Sequence, residues 1–132
     1  SAIAGIGQVL PALSRASKLG KRAARVGFDW PEVDGVIAKL YEEIDELMAA
    51  REAESPDAIE EEIGDLLFTA ANLARHLHVD PEHALRAANR KFERRFRAVE
   101  AVLKHADTDW STQSPEDLDR LWKSIKADEQ GT

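Results

Sequence analysis

Apolar residues recur along this chain at three- and four-residue intervals, the spacing that collects them on one face of a helix, and no stretch alternates as a strand would. Val33, Val36, Ile37, Leu40, Ile44, Leu47 and Met48 form one stripe, and Ile59, Ile63, Leu66, Leu67, Ala70, Leu73, Ala74 and Leu77 form a second. Leu85, Ala88, Phe92, Phe96, Val99 and Leu103 form a third. The polar punctuation fits these stripes. Pro11 opens a first helix that ends before Gly27, with basic residues in its last turns and a glycine placed to cap it. Asp29, with Glu32 three residues on, reads as the N-cap of a second helix over about residues 31–52. Ser55-Pro56 and Asp80-Pro81 start a third and a fourth. A loop from Asp107 to Gln113 leads to Ser114-Pro115 and a short last helix carrying Leu118, Leu121, Trp122 and Ile125, before a polar tail, ADEQGT, expected to fray. The predicted fold is all-α: a helical bundle of four main helices plus a short C-terminal helix.

The chain's 132 residues, 43% of them hydrophobic, suffice for one core and not for two. We expect an N-terminal helical segment over 1–26, one functional domain over 27–127 and a flexible tail over 128–132. The balance of 25 Asp and Glu against 18 Lys and Arg gives a net charge of −7, which repels nucleic acid and anionic membrane, so a polyanionic substrate needs a metal or a local basic patch. No cysteine is present, which excludes disulfide frameworks, zinc-thiolate sites, iron–sulfur ligation and cysteine catalysis, and makes the cytoplasm the expected compartment. No run approaches the ~18 apolar residues of a membrane span, and the N-terminal charges follow the apolar stretch, opposite to a secretory signal. The chain opens on Ser1, not Met, so further sequence is expected around it.

The candidate chemistry lies where carboxylates flank the stripes. At roughly 100° per residue, Glu43 falls just outside one edge of the second helix's apolar arc, with Glu46 further round the same side. Glu62 and Asp65 repeat the arrangement on the third helix. The short loop around Glu54 joins the two helices as an antiparallel hairpin, and antiparallel packing brings flanks of the same angular sense to the same side of the seam. Glu46 and Glu62 are each eight residues from Glu54, and Glu43 and Asp65 are each eleven, so the acids stand level in pairs. Four converging carboxylates repel one another, and a cation resolves the conflict. All-oxygen ligation points to a hard ion, Mg²⁺ or Mn²⁺. Di-iron bundles use Glu-x-x-His pairs, and none of His76, His78, His83 or His105 has a Glu three residues before it. The plainer alternative is that acidic i, i+3 pairs are solvated helix faces, as most are.

The fourth helix carries NRKFERRFR at 89–97. Lys91 and Arg95, at i and i+4, share one flank of its stripe, and cations beside a metal cage are what a polyphosphate requires. The alternative is a basic surface helix pairing with Glu82 and Glu93. On the last helix Trp122 and Lys126 form another i, i+4 pair, able to stack on a base and meet a phosphate, although Trp122 beside Leu121 and Ile125 equally fits a core.

EEIDE at 42–46, EEIGDLLF at 61–68 and VDPEHALRAANRKFERRF at 79–96 resemble the MazG nucleoside triphosphate pyrophosphohydrolases, whose motif is EExxE followed after a spacer by ExxD. The resemblance starts at ARVGFDWP, 24–31, and reaches the last helix; the segment SAIAGIGQVLPALSRA matches poorly. It implies that Glu43, Glu46, Glu62 and Asp65 bind Mg²⁺, that Lys91 and Arg95 contact the triphosphate, and that Trp122 and Lys126 close the nucleotide site. It also implies that this chain is like the C-terminal, catalytic copy of a tandem protein. The implied reaction converts NTP and water to NMP and pyrophosphate, with a metal-positioned water attacking between the α and β phosphorus atoms and a carboxylate as general base. No cluster of base-reading polar groups stands out, so broad base specificity is expected. The alternatives are a non-catalytic nucleotide-binding sensor and a nucleic-acid-interacting helical module using the arginine-rich helix. Phe68 and Asn72 lie nearly opposite the third helix's stripe, a second side for a partner chain to cover, and a homodimer is expected, as the resemblance also implies.

Overall fold

The computed structural model describes residues 1–131. The protein is all-α, and no strand occurs among the described residues. The helices are α1 (Ala12–Arg25), α2 (Val33–Glu52), α3 (Pro56–His76), α4 (Pro81–His105) and α5 (Pro115–Gln130), with one 3₁₀ turn at Trp110–Thr112. They divide into two compact units, residues 1–84 and the residues from Leu85 on, with α4 running through the boundary.

The starts of three helices follow from their side chains. Ser55 Oγ accepts from Ala58 N at α3, with Pro56 at the first helical position, where a missing N–H is no loss. Asp80 Oδ1 accepts from the amides of Glu82 and His83 at α4. Ser114 and Asp117 exchange hydrogen bonds as a capping box at α5. The ends share one device. After α1 the amides of Gly27 and Phe28 return to the carbonyls of Ala24 and Ala23, and Gly27 sits at φ 86°, the left-handed conformation that closes a Schellman motif. Three further helices end the same way on residues that carry a Cβ: Glu54 (φ 51°), His78 (φ 60°) and Asp107 (φ 52°). Each accepts roughly 1–2 kcal/mol of steric strain there.

Asp29 does not cap α2. The N-cap is Glu32, which makes no side-chain cap bond, and the helix begins at Val33. Pro31 keeps Trp30 out of the helical region and delays the start. The Asp29 carboxylate instead takes two hydrogen bonds from Arg75, Nη1 to Oδ2 at 3.0 Å and Nη2 to Oδ1 at 2.8 Å, and lies 2.9 Å from His76 Nε2. This ties the segment before α2 to the end of α3. The Arg75 hydrogen bonds hold the Asp29 carboxyl well below its ordinary range against the opposing effect of burial, with His76 adding to the fall.

In the first unit α3 packs against both α1 and α2. Asn72, the residue expected to await a partner chain, is 1% exposed and faces α1. A Cβ on Gly20 would lie 2.1 Å from Asn72 Oδ1, so only glycine allows the helices this close. The buried positions of α3 are Thr69, Ala71 and Asn72, and those of α2 are Val36, Glu43 and Ala50. Ile37, Ile44, Met48, Ile63 and Leu67 of the expected stripes stay exposed. In the second unit Val99, Leu103 and Ile125 form a buried cluster joined by Ala98, Leu121 and Trp122. Four rings run beside it, Trp122 to Phe92 to Phe96 to Trp110, with centroids 5.1–5.8 Å apart. The polar tail continues α5 through Gln130, where the sequence led us to expect fraying, and Glu129 is held by Arg94 and Arg95; Thr132 lies outside the described residues. No helix among the described residues is long and apolar enough to cross a membrane.

Candidate functional site

Helical spacing on α2 sets Lys39, Glu42, Glu43 and Glu46 along one side, and the turn at Glu54 returns the chain so that Glu62 and Asp65 of α3 meet them. One carboxylate oxygen from each of Glu43, Glu62 and Asp65 lies within 4.8 Å of the others. Glu43 is 3% exposed, Glu62 half-buried, and Asp65 and Glu46 exposed, so the group runs from the seam between the helices out to its edge. Its Oε1 accepts from Lys39 Nζ at 3.0 Å, whereas Oε2 is buried without a hydrogen-bond partner. Glu62 Oε2 is buried and unpartnered in the same way.

Two such oxygens in one small space are costly unless a proton or a cation serves them. The electrostatics agree. Burial, followed by a hydrogen bond to Glu46 and repulsion from Glu46, Glu43 and Asp65, pushes the Glu62 carboxyl up to about 7. Glu46 acts on Glu62 in this way but lies outside the group of three converging oxygens. The hydrogen bonds that Lys39 donates to Glu43 and then Glu42, the latter at 3.3 Å, raise its ammonium above its usual range. One ammonium against these acids leaves an excess of carboxylates, and the all-oxygen donor set suits a hard divalent ion.

Lys91, Arg95, Trp122 and Lys126 all belong to the second unit. Lys91 is exposed and Lys126 half-buried. Arg95 already holds an anion: its Nε donates to Glu129 Oε2 at 2.8 Å, and Arg94 Nε donates to Glu129 Oε1 at 3.0 Å. These hydrogen bonds keep the Glu129 carboxyl below its ordinary value. Trp122 is half-buried, its ring 5.5 Å from Phe92, so part of its surface belongs to the core.

Sequence reasoning passed over two features. Lys39 is one turn before Glu43, a basic i, i+4 partner visible in the sequence. The Asp29–Arg75–His76 cluster joins residues 46 and 47 positions apart and has no local signal. Beside that cluster, a cavity of about 620 Å³ is lined by Leu19, Phe28, Trp30, Phe68, Asn72 and Arg75 among others. The carboxylate group is not part of its wall, and Asp29 and Asn72 beneath it are already hydrogen-bonded.

A family model described as the MazG nucleotide pyrophosphohydrolase domain matches residues 32–100, a span that includes Glu43, Glu46, Glu62, Asp65, Lys91 and Arg95 and leaves out Trp122 and Lys126. Over 131 residues the chain is 48% identical to the nucleoside triphosphate pyrophosphohydrolase of Escherichia coli (strain K12), an alignment covering 98% of this chain and 50% of that protein. It is 44% identical over 126 residues to the nucleoside triphosphate pyrophosphohydrolase/pyrophosphatase MazG of Thermotoga maritima, covering 96% of this chain and 48% of that protein. The chain thus spans about half the length of the curated relatives it matches.

Proposed function

The chain belongs to the MazG nucleotide pyrophosphohydrolase family, and from that membership we propose that it is a metal-dependent hydrolase that converts a nucleoside triphosphate and water into the monophosphate and pyrophosphate. The relatives' names carry this activity, and the observation that extends it here is the pair of buried, unpartnered oxygens, Glu43 Oε2 and Glu62 Oε2. Glu43, Glu46, Glu62 and Asp65 would hold Mg²⁺, or Mn²⁺ in its place. When bound, the ion neutralises charge on the phosphate oxygens and makes a coordinated water more acidic. A carboxylate of the set accepts the proton of the attacking water, aimed between the α and β phosphorus atoms.

Lys91, Arg95 and Lys126 are proposed to contact the phosphates, and Trp122 to border the nucleoside. Arg95 supports this by what it holds now: a substrate phosphate would exchange with the Glu129 carboxylate. Base specificity is broad on this reading, and we assign the protein to the cytoplasm, where its substrates are. We also propose residues 27–127 as the functional domain, equivalent to the C-terminal half of a tandem relative, with 1–26 as an N-terminal helical segment. Ile37, Ile44, Met48, Ile63 and Leu67, each 38–53% exposed, favour a homodimer that covers them. A monomeric mass by light scattering at micromolar concentration refutes the dimer.

The activity is tested by pyrophosphate release from a panel of ordinary and modified NTPs, with Mg²⁺ and with EDTA. Wild type should release pyrophosphate only with metal. Glu62→Gln, which keeps the shape and removes one charge, should bind Mg²⁺ more weakly and lose turnover by orders of magnitude while remaining folded. Near-normal release by this variant defeats the metal assignment, and no release by wild type defeats the activity.

A further inference from the structure

Lys39 reaches one carboxylate oxygen and leaves the other. Its side chain lies half in solvent, 35% exposed, and extends along α2 to place Nζ 3.0 Å from Glu43 Oε1. The Glu43 side chain is 5% exposed and its Oε2 is without a partner. An ion entering the cage therefore finds one free oxygen on this carboxylate. The distinction matters because Mg²⁺ is small, prefers near-ideal octahedral geometry and takes carboxylates through single oxygens, whereas Ca²⁺ accepts six to eight ligands and readily binds a carboxylate through both.

We propose that Lys39 is a positioning residue for metal selectivity: by occupying Glu43 Oε1 it restricts that ligand to one oxygen and so favours Mg²⁺ and Mn²⁺ over Ca²⁺. The inference rests on the metal reading above. A through-space effect of the ammonium acts alike on ions of equal charge and cancels in the ratio of their affinities. A donor that blocks one oxygen does not cancel, since it withholds the second oxygen that only the larger ion uses.

The test is calorimetric titration of the metal-free protein at pH 8 with MgCl₂, MnCl₂ and CaCl₂, in the absence of nucleotide, with melting curves run alongside. Wild type should prefer Mg²⁺ and Mn²⁺. Lys39→Met keeps the stem and removes the donor, and its preference for Mg²⁺ over Ca²⁺ should shrink about five- to tenfold, the scale of one hydrogen bond. Lys39→Arg keeps a donor for Oε1 and should retain the wild-type ratio. An unchanged ratio in Lys39→Met, or an equal loss in both variants, overturns the role of Lys39. Absence of divalent binding to wild type overturns the metal reading itself, and the inference with it. Should Lys39→Met not fold, Lys39→Gln, with one neutral donor, replaces it and should give a smaller loss in the ratio; no loss overturns the role.

Discussion

Replacing Trp122 by alanine separates two roles that the residue can hold at once. Removing a fully buried tryptophan destabilises a protein by about 3–5 kcal/mol. Trp122 is half-buried against the Val99, Leu103 and Ile125 cluster, which lowers that to about 2 kcal/mol. The ring 5.5 Å away on Phe92 adds about 0.5–1 kcal/mol. For a chain of this length a loss of about 2–3 kcal/mol lowers Tm by roughly 6–12 °C. If the exposed part of the indole also stacks on a base, NTP affinity falls by about 1–3 kcal/mol as well. Both should be measured on the same preparations, Tm by circular dichroism and binding by NTP-dependent tryptophan fluorescence well below the transition. Trp30 and Trp110 are changed to Phe to isolate the signal, a substitution that keeps a ring against His76 and Phe96 respectively. Affinity for Trp122→Ala, whose fluorescence signal is lost, is read by calorimetry. An unaltered Tm would remove Trp122 from the core, and unaltered affinity in a folded variant would remove it from the nucleotide site.

Asp29→Asn should destabilise the fold by about 2–3 kcal/mol, less than the 3–5 of a fully buried pair because the two side chains remain 15–20% exposed. Since the folded carboxyl titrates below its ordinary 3.8, its contribution is complete above that pH and lost as pH falls beneath it, so the Tm gap should be present at pH 7 and narrow below about pH 4; equal melting temperatures at pH 7 refute this. Glu62 has the opposite sign. The folded metal-free protein keeps a proton that the unfolded chain releases near 4.5, so Glu62 reduces stability progressively as pH rises from 4.5 to about 7. In EDTA the Tm advantage of Glu62→Gln over wild type should therefore grow between pH 5 and pH 8, and a constant difference refutes the assignment.

Helix starts were legible because Ser55, Asp80 and Ser114 carry their own acceptor oxygens into the cap. The ends of α2 and α4 were legible as the turn around Glu54 and the loop from Asp107, although Glu54, His78 and Asp107 occupy left-handed positions where the usual sequence signal is glycine. Asp29 shows how a local pattern misleads. With an acid three residues on it satisfies the capping signature, yet Pro31 displaces the helix start and an arginine 46 residues away claims the carboxylate. The carboxylate group was legible in a different way. Its convergence requires only the helical angle, the direction of packing and the midpoint of one short turn. The burial of Glu43 requires knowing which side of α2 meets α3, and there an apolar stripe is a poor guide: Ile37, Ile44 and Met48 remain exposed while Glu43 is enclosed. The same physics accounts for both observations. The other buried residues of the two packed helices, Val36 and Ala50 on α2 and Thr69, Ala71 and Asn72 on α3, are small or medium in size, and the longer acids that converge between these helices must reach one another or a cation. Lys39 already supplies a cation to one oxygen of Glu43, and the unpartnered Oε2 is what makes a second, smaller and more highly charged cation the natural complement of the site.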